Sequence, residues 1–430
     1  MKKMDKKSVF YGGIYNSQYV NLPGWGKIDI VKTSCANGVN LLFLRANRSC
    51  SYFLKGIWNS ITSEQFFIKI KRKDNGILFV IDDEIRLRKE HLEMMSEVAK
   101  TAGDAGFMEI TQHMRYGYKR KYPLLIVLDR IRKTLLFALQ ILKLKGTYSD
   151  KLVFLYTMLW CDELFPKLSK KMDNSLNLVV SWSDTHYVPS IVCAYCQLKG
   201  IKTATLLHGP FLAYRGNEDF ISNGSVYSCS LSDYFLTWNS FTADEALRSG
   251  LEQSKIKILG NPYFVGKSYI QSEQRKHNLF GVALGSAAGG LGFMNSMVIQ
   301  IANEFSEKYQ LHYVIRFHPG QFGLQEELTN EYYVKDLQFS KMSILDYVNS
   351  VDFTLNISGG LYPQLLFYKH RVYRLQDVYG DTKWNTFSNC SELENLVKND
   401  IDLTQEQREY LLGPENVESN YKIFFAKFIS

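Results

Sequence analysis

No apolar stretch of this chain reaches the roughly 18 to 20 residues that a bilayer span needs. The longest, around 123–128, 134–144 and 152–160, are broken by DRIRK or by polar residues. The basic start MKKMDKKSVFYGG is not followed by an apolar run, so no secretory signal is expected and the chain should stay in the cytoplasm. Seven cysteines, an odd number scattered over the whole length, suit reduced thiols better than a disulfide framework. Repeats and low-complexity segments are missing too. With 46% hydrophobic and 22% charged residues, disorder and collagen are excluded. A length of 430 residues predicts two or three domains, each able to bury its own core.

Charge is unevenly placed. Residues 1–150 hold 26 Lys and Arg against 14 Asp and Glu, whereas the rest hold 25 against 29. The excess peaks between Thr111 and Gly146, where Arg115, Lys119, Arg120, Lys121, Arg130, Arg132, Lys133, Lys143 and Lys145 face one acid, Asp129. Such a stretch calls for an anionic partner.

From Leu178 the chain reads as strands alternating with helices. LVVSW (178–182), TATLLH (203–208), YFLTW (234–238) and KIKILG (255–260) are short apolar runs separated by helix-length segments, the signature of a parallel sheet covered on both faces. After GNPYF (260–264) the pattern restarts with LFGVALG (279–285), HYVIRF (312–317), DFTLNIS (352–358) and VYRL (372–375). The fold class expected is therefore α/β, with two Rossmann-like, doubly wound domains. Their expected extents are 1–265 and 266–405, with a closing helix over 406–430. Earlier, FYGGIY, IDIVK, NLLFL and GILFVI read as strands, and 111–177 reads as a basic helical insertion.

Candidate chemistry sits where strands end, because ligands of open α/β sheets bind outside the carboxyl ends of the strands. Gly285-Ser286-Ala-Ala-Gly289-Gly290-Leu-Gly292 lies between a strand and a helix, where glycines admit an anion and the helix N-terminus offers free N–H groups. Arg316-Phe-His318-Pro319-Gly320 must leave its ladder at the proline, which projects His318 from the sheet edge. Ser358-Gly359-Gly360 offers a hydroxyl and backbone donors, or caps a helix. In the first half, Asp184 and His186 close one strand while His208 and Gly209 close the next. His208 is the first choice for a general base, with Asp184 as the alternative base or as the carboxylate that orients the imidazole. Cys193 and Cys196 have metal-pair spacing but lie in the apolar run IVCAYCQL, so buried thiols and no metal are expected.

Taken together, His208-Gly209, Gly260-Asn261-Pro262, Phe-His318-Pro319-Gly320 and Asn356-Ile-Ser358-Gly359 resemble the GT-B glycosyltransferases of bacterial surface-polysaccharide synthesis. Capsule polysialyltransferases, Kdo transferases and CDP-glycerol glycerophosphotransferases are the groups most like it, over roughly residues 178–375. The resemblance implies two domains facing across a cleft. The second would hold a nucleotide-sugar donor through Gly285, Ser286, Gly289, Gly290, Arg316, His318, Pro319, Ser358, Gly359 and Gly360. His208, Asp184 and His318 would carry the chemistry. His186, Gly209 and the acidic pair Glu218-Asp219 would line the acceptor side; Phe220 stands where polysialyltransferases carry glycine, which speaks against sialyl transfer.

The reaction implied is metal-independent glycosyl transfer to a capsule or related glycan, free or lipid-linked. It uses a nucleotide-sugar co-substrate and no resident cofactor. The basic segment 111–146 would touch an anionic membrane from the cytoplasmic side, and no nucleic acid partner is expected. Transfer of a polyol phosphate from a CDP-linked donor, a non-catalytic two-lobe binder and a nucleotide-sugar epimerase are the rival readings.

Overall fold

The computed structural model describes residues 17–34, 46–71, 75–103, 105–113, 120–172, 175–207, 229–267, 278–285, 292–317, 343–357, 361–376 and 384–429. A small antiparallel hairpin, β1 (Tyr19–Leu22) with β2 (Gly26–Asp29), precedes the first large sheet. IDIVK does not continue as a strand. The Asp29 carboxylate accepts the Lys32 N–H at 3.3 Å and turns the chain into the short helix α1 (Ile30–Thr33). FYGGIY and NLLFL lie outside the described residues.

The first large sheet has seven strands: β3 (Phe66–Lys71), β4 (Ile77–Ile81), β5 (Gly106–Gln112), β6 (Leu178–Trp182), β7 (Lys202–Leu206), β8 (Tyr234–Thr237) and β9 (Ile256–Ile258). Their order is β3-β5-β4-β6-β7-β8-β9; only the edge strand β3 is antiparallel to its neighbour. Every residue of β4 (ILFVI) and β6 (LVVSW) is buried, as strands covered on both faces require. The covering helices are α2 (Ala46–Thr62), α3 (Asp83–Leu87), α4 (Lys89–Thr101), α5 (Leu124–Ile141), α6 (Tyr148–Lys171), α7 (Tyr187–Lys199) and α8 (Ser240–Arg248).

Within segment 111–177, residues 124–141 and 148–171 are helical as expected while Thr111 and Gln112 end β5, and the two helices are not an insertion. Helices α5 and α6 form the crossover that carries the chain from β5 over β4 to β6. Helix α6 starts at a capping box, Thr147 with Asp150, and buries Phe154, Met158, Leu164 and Phe165 in the main core. Nor are all the basic residues of this stretch free for a partner. Arg130 is buried: its Nε donates to the Ser60 carbonyl at 2.7 Å and its guanidinium lies 3.6 Å from Asp162. Lys133 pairs with Asp129 at 3.1 Å and Asp162 at 3.2 Å. Arg115 and Lys119 lie outside the described residues.

A 3₁₀ turn, Pro262–Phe264, capped by Asn261, follows β9. The second sheet then holds β10 (Leu279–Ala283), β11 (His312–Arg316), β12 (Thr354–Asn356), β13 (Val372–Leu375) and β14 (Thr386–Phe387), all parallel, in the order β11-β10-β12-β13-β14. Around it lie α9 (Gly292–Tyr309), α10 (Ile344–Ser350), α11 (Leu361–Phe367) and α12 (Cys390–Lys398). Two Rossmann-like, doubly wound α/β units, the pair expected of a GT-B chain, are thus present.

The closing segment is two helices rather than one, α13 (Gln405–Leu412) and α14 (Val417–Phe425). The second returns to the first unit, where Phe425 meets Phe79 at 5.7 Å and the Tyr421 hydroxyl donates to the Gly260 carbonyl at 3.2 Å. Gly260 has φ +104°, and a Cβ there would lie 2.6 Å from Val417 Cγ2, so this contact needs glycine. The two units also meet through Phe264 and Phe367, whose rings stack at 4.0 Å.

Candidate functional site

Strand order locates the sites before any side chain is considered. In the second sheet β11 lies on one side of β10 and β12 on the other, so the order reverses between β10 and β12, the place where open α/β sheets bind ligands outside their carboxyl ends. Register aligns those ends. Ala283 pairs with Arg316 on one side and Asn356 on the other. Gly285, His318 and Ser358 each follow two residues after that common level. The Gly285 end is fixed by Asn295, a buried side chain of the first turn of α9: its Oδ1 accepts the Gly285 N–H at 3.0 Å and its Nδ2 donates to the Gly285 carbonyl at 3.1 Å. The helix therefore starts directly beside the strand end. Arg316 holds its guanidinium 5.4 Å over the Tyr347 ring, and burial draws it below its ordinary pKa. Asn356 Oδ1 is buried at the same level, with no hydrogen-bond partner among the described residues. Ser286, Gly289, Gly290, His318, Pro319, Ser358, Gly359 and Gly360 lie outside the described residues.

The first sheet repeats the device. Its order reverses between β4 and β6, whose ends carry Asp82-Asp83 and Ser183-Asp184-Thr185-His186. Ser183 adopts φ +55°, a left-handed conformation costing about 1 kcal/mol for a non-glycine residue. This bend is held by the Ser183 N–H on the Leu206 carbonyl (2.8 Å) and the Asp184 N–H on Thr205 Oγ1 (2.9 Å). The bend turns Asp184 inward. Its Oδ2 accepts the Ser230 hydroxyl at 2.9 Å and the Ser232 N–H at 2.7 Å, while Oδ1 is buried with no partner among the described residues. Asp184 is thus a buried carboxylate and not a rim group open to solvent. His186 is half-buried at the N-cap of α7. Because Trp182 pairs with Leu206, Asp184 and His208 follow their neighbouring strands by the same two residues. His208, Gly209, Glu218 and Asp219 lie outside the described residues.

Three features here were missed by sequence reasoning. Asp82 and Asp83 are both buried at the strand end; Asp82 Oδ1 accepts the Ile85 N–H at 3.1 Å and Asp83 Oδ2 accepts the Gln112 N–H at 2.7 Å. Their signal was present: two acids directly after the apolar run GILFVI. His91 packs on Trp182 with ring centroids 5.0 Å apart. A cavity of about 240 Å³ is lined by Tyr52, Gln65, Gln112, Tyr156, Trp160 and Tyr187. Gln112 ends β5 and Tyr187 follows β6, so the cavity opens at the same carboxyl edge; nothing in the strand pattern announces it. Cys193 and Cys196 are buried thiols on α7, raised in pKa chiefly by that burial. Among the described residues no three His, Cys, Asp or Glu side chains gather into a metal-binding group.

No protein-family model matches the sequence, and no curated protein is similar to it. Solved structures do share its outline. UDP-GlcNAc 2-epimerase from Neisseria meningitidis bound to UDP-GlcNAc is 13% identical, with a TM-score of 0.49 over 82% of this chain and 98% of that one. The lipopolysaccharide outer core galactosyltransferase WaaB is 9% identical, with a TM-score of 0.45 over 81% of this chain and 99% of that one. HepE of Anabaena, in complex with UDP and glucose, is 10% identical, with a TM-score of 0.44 over 83% and 96%. The fold is read from the two sheets themselves.

Proposed function

We propose that this chain is a glycosyltransferase that moves a sugar from a nucleotide donor to a surface-glycan acceptor, capsular or lipid-linked, across the cleft between its units. One observation carries the reading: three phosphate-binding candidates, the loop after Gly285, His318 and Ser358, follow adjacent parallel strands at one level of one switch point. The donor nucleotide belongs there, its phosphates facing the start of α9, with Arg316 adding charge beside them. The unit of residues 1–265 takes the acceptor, and its aromatic cavity suits the apolar faces of sugar rings.

In the reaction the acceptor hydroxyl attacks the anomeric carbon. The new C–O bond forms as the bond to the departing nucleoside phosphate breaks, and His208 takes the hydroxyl proton. The buried, doubly bonded Asp184 suits a positioning carboxylate better than the base itself, since a base must reach solvent or substrate. Charge on the leaving phosphate is met by His318, Ser358 and backbone N–H groups, with no metal called for.

Incubating the protein with UDP, CDP, CMP and GDP sugars, with and without acceptor glycans, tests this. Nucleotide release that requires an acceptor is expected, and His318→Ala should cost about 2 to 4 kcal/mol of transition-state stabilisation. Wild-type turnover by that variant contradicts the assignment. Release of a nucleoside monophosphate with transfer of a polyol phosphate would move the attack to phosphorus, and donor conversion without acceptor would make the chain an epimerase.

A further inference from the structure

Helix α5 has two apolar faces. Arg130, Phe137 and Ile141 point into the protein, and the helix is anchored there by Arg130 on the Ser60 and Leu159 carbonyls at 2.7 and 3.2 Å. The opposite face should be polar on a helix that ends at solvent. Instead it carries Leu124, Leu128, Ile131, Leu135, Leu139 and Leu142, recurring every three or four residues, all exposed; Leu124, Leu135 and Leu142 are 72%, 64% and 64% exposed. Trp58 of the adjoining α2 is 60% exposed as well. Such a continuous apolar stripe marks a surface that something covers.

Charge identifies what covers it. Asp129 is the one acid on α5, and it is neutralised by Arg132 at 2.8 Å and Lys133 at 3.1 Å. Arg120 and Lys121 stand exposed just before the helix, Lys143 and Lys145 just after it. A leucine stripe with basic ends complements a layer of acyl chains beneath anionic headgroups. It opposes a second copy of itself, because antiparallel pairing of two such helices would set Arg120 and Lys121 against Lys143 and Lys145. No described helix is long and apolar enough to cross a membrane, and α5 carries the buried Arg130 on its inner face, so the helix lies on a bilayer and does not span it.

We infer that α5 is an interfacial anchor: its outward leucines enter the outer acyl layer of an anionic phospholipid membrane while the lysines and arginines at its two ends meet the headgroups. The inference is independent of the transfer reaction, because it uses no residue of either switch point. The anchor is hydrophobic first and electrostatic second, which separates it from the purely basic contact expected of residues 111–146.

Flotation of the full chain with phosphatidylglycerol/phosphatidylcholine vesicles and with pure phosphatidylcholine vesicles tests it. Wild-type protein should float with the anionic vesicles. Leu128→Glu/Leu135→Glu, at exposed positions that leave the unfolding midpoint unchanged, should weaken binding by about a hundredfold. Lys143→Ser/Lys145→Ser should weaken it roughly thirtyfold and remove about half of its salt dependence. Phosphatidylglycerol with brominated acyl chains should quench part of the tryptophan fluorescence in wild type, and that part should vanish in Trp58→Phe. Absence of binding, undiminished binding by the leucine variant, or a solution dimer that the leucine variant dissociates would each overturn the assignment.

Discussion

His370 is buried and shares a 2.9 Å hydrogen bond with Thr354 Oγ1 at the start of β12. Burial first and the Arg371 charge second push its pKa down to about 3. The neutral ring therefore contributes stability that is fully present above the unfolded value near 6.5 and is lost as pH falls toward 3. Relative to His370→Gln, the wild type should lose about 1.4 kcal/mol per pH unit on the acid side of pH 6.5, which urea unfolding at two pH values will show. Asp184 makes the complementary case. Asp184→Ala strands the Ser230 hydroxyl and the Ser232 N–H in the interior and should cost about 2 to 4 kcal/mol in the same measurement. Asp184→Asn keeps an accepting oxygen for Ser230 and Ser232 but buries an amide NH2 at the second position, so it should cost less than Asp184→Ala, about 1 kcal/mol, while kcat falls; an unchanged kcat would remove Asp184 from the positioning of His208. Sequence reading marked Asp184 because it follows a strand. What it could not reveal is that Ser230 and Ser232, some 46 residues on, close over the carboxylate.

At the scale of elements, the runs rich in β-branched and aromatic residues became strands wherever both flanks were also legible, as for LVVSW, LFGVALG and HYVIRF. IDIVK failed because one aspartate served as a helix cap in mid-run. Segment 111–177 looked like an addition because its basic residues suggested a surface. Only the pairing of β4 with both β5 and β6 reveals a crossover. Arg130 decides how that crossover is fastened. It joins α5 to α2 through Ser60 and to α6 through Leu159, Asp162 and Glu163. Lys133 and Lys167 still neutralise those two acids when Arg130 is gone. Arg130→Ala should accordingly cost about 3 kcal/mol, mostly from the Ser60 carbonyl left without its Arg130 donor and from lost packing, with a lowered denaturation midpoint as the readout.

Over the whole molecule, strand succession in the sequence announced two doubly wound units but not their internal order, because order is a property of pairings between distant segments. With the order known, the first sheet switches direction between β4 and β6 and the second between β10 and β12. The C-terminal helix α14, which follows the second sheet in the sequence, packs back on the first unit. Amide hydrogen exchange with and without saturating nucleotide sugar addresses this arrangement most directly. Slowed exchange is predicted at three separate stretches together, 284–292, 317–320 and 357–361, with the first sheet's strand ends responding only when acceptor is added. Protection confined to any other part of the second sheet, or none with any UDP, CDP, CMP or GDP sugar, would contradict it.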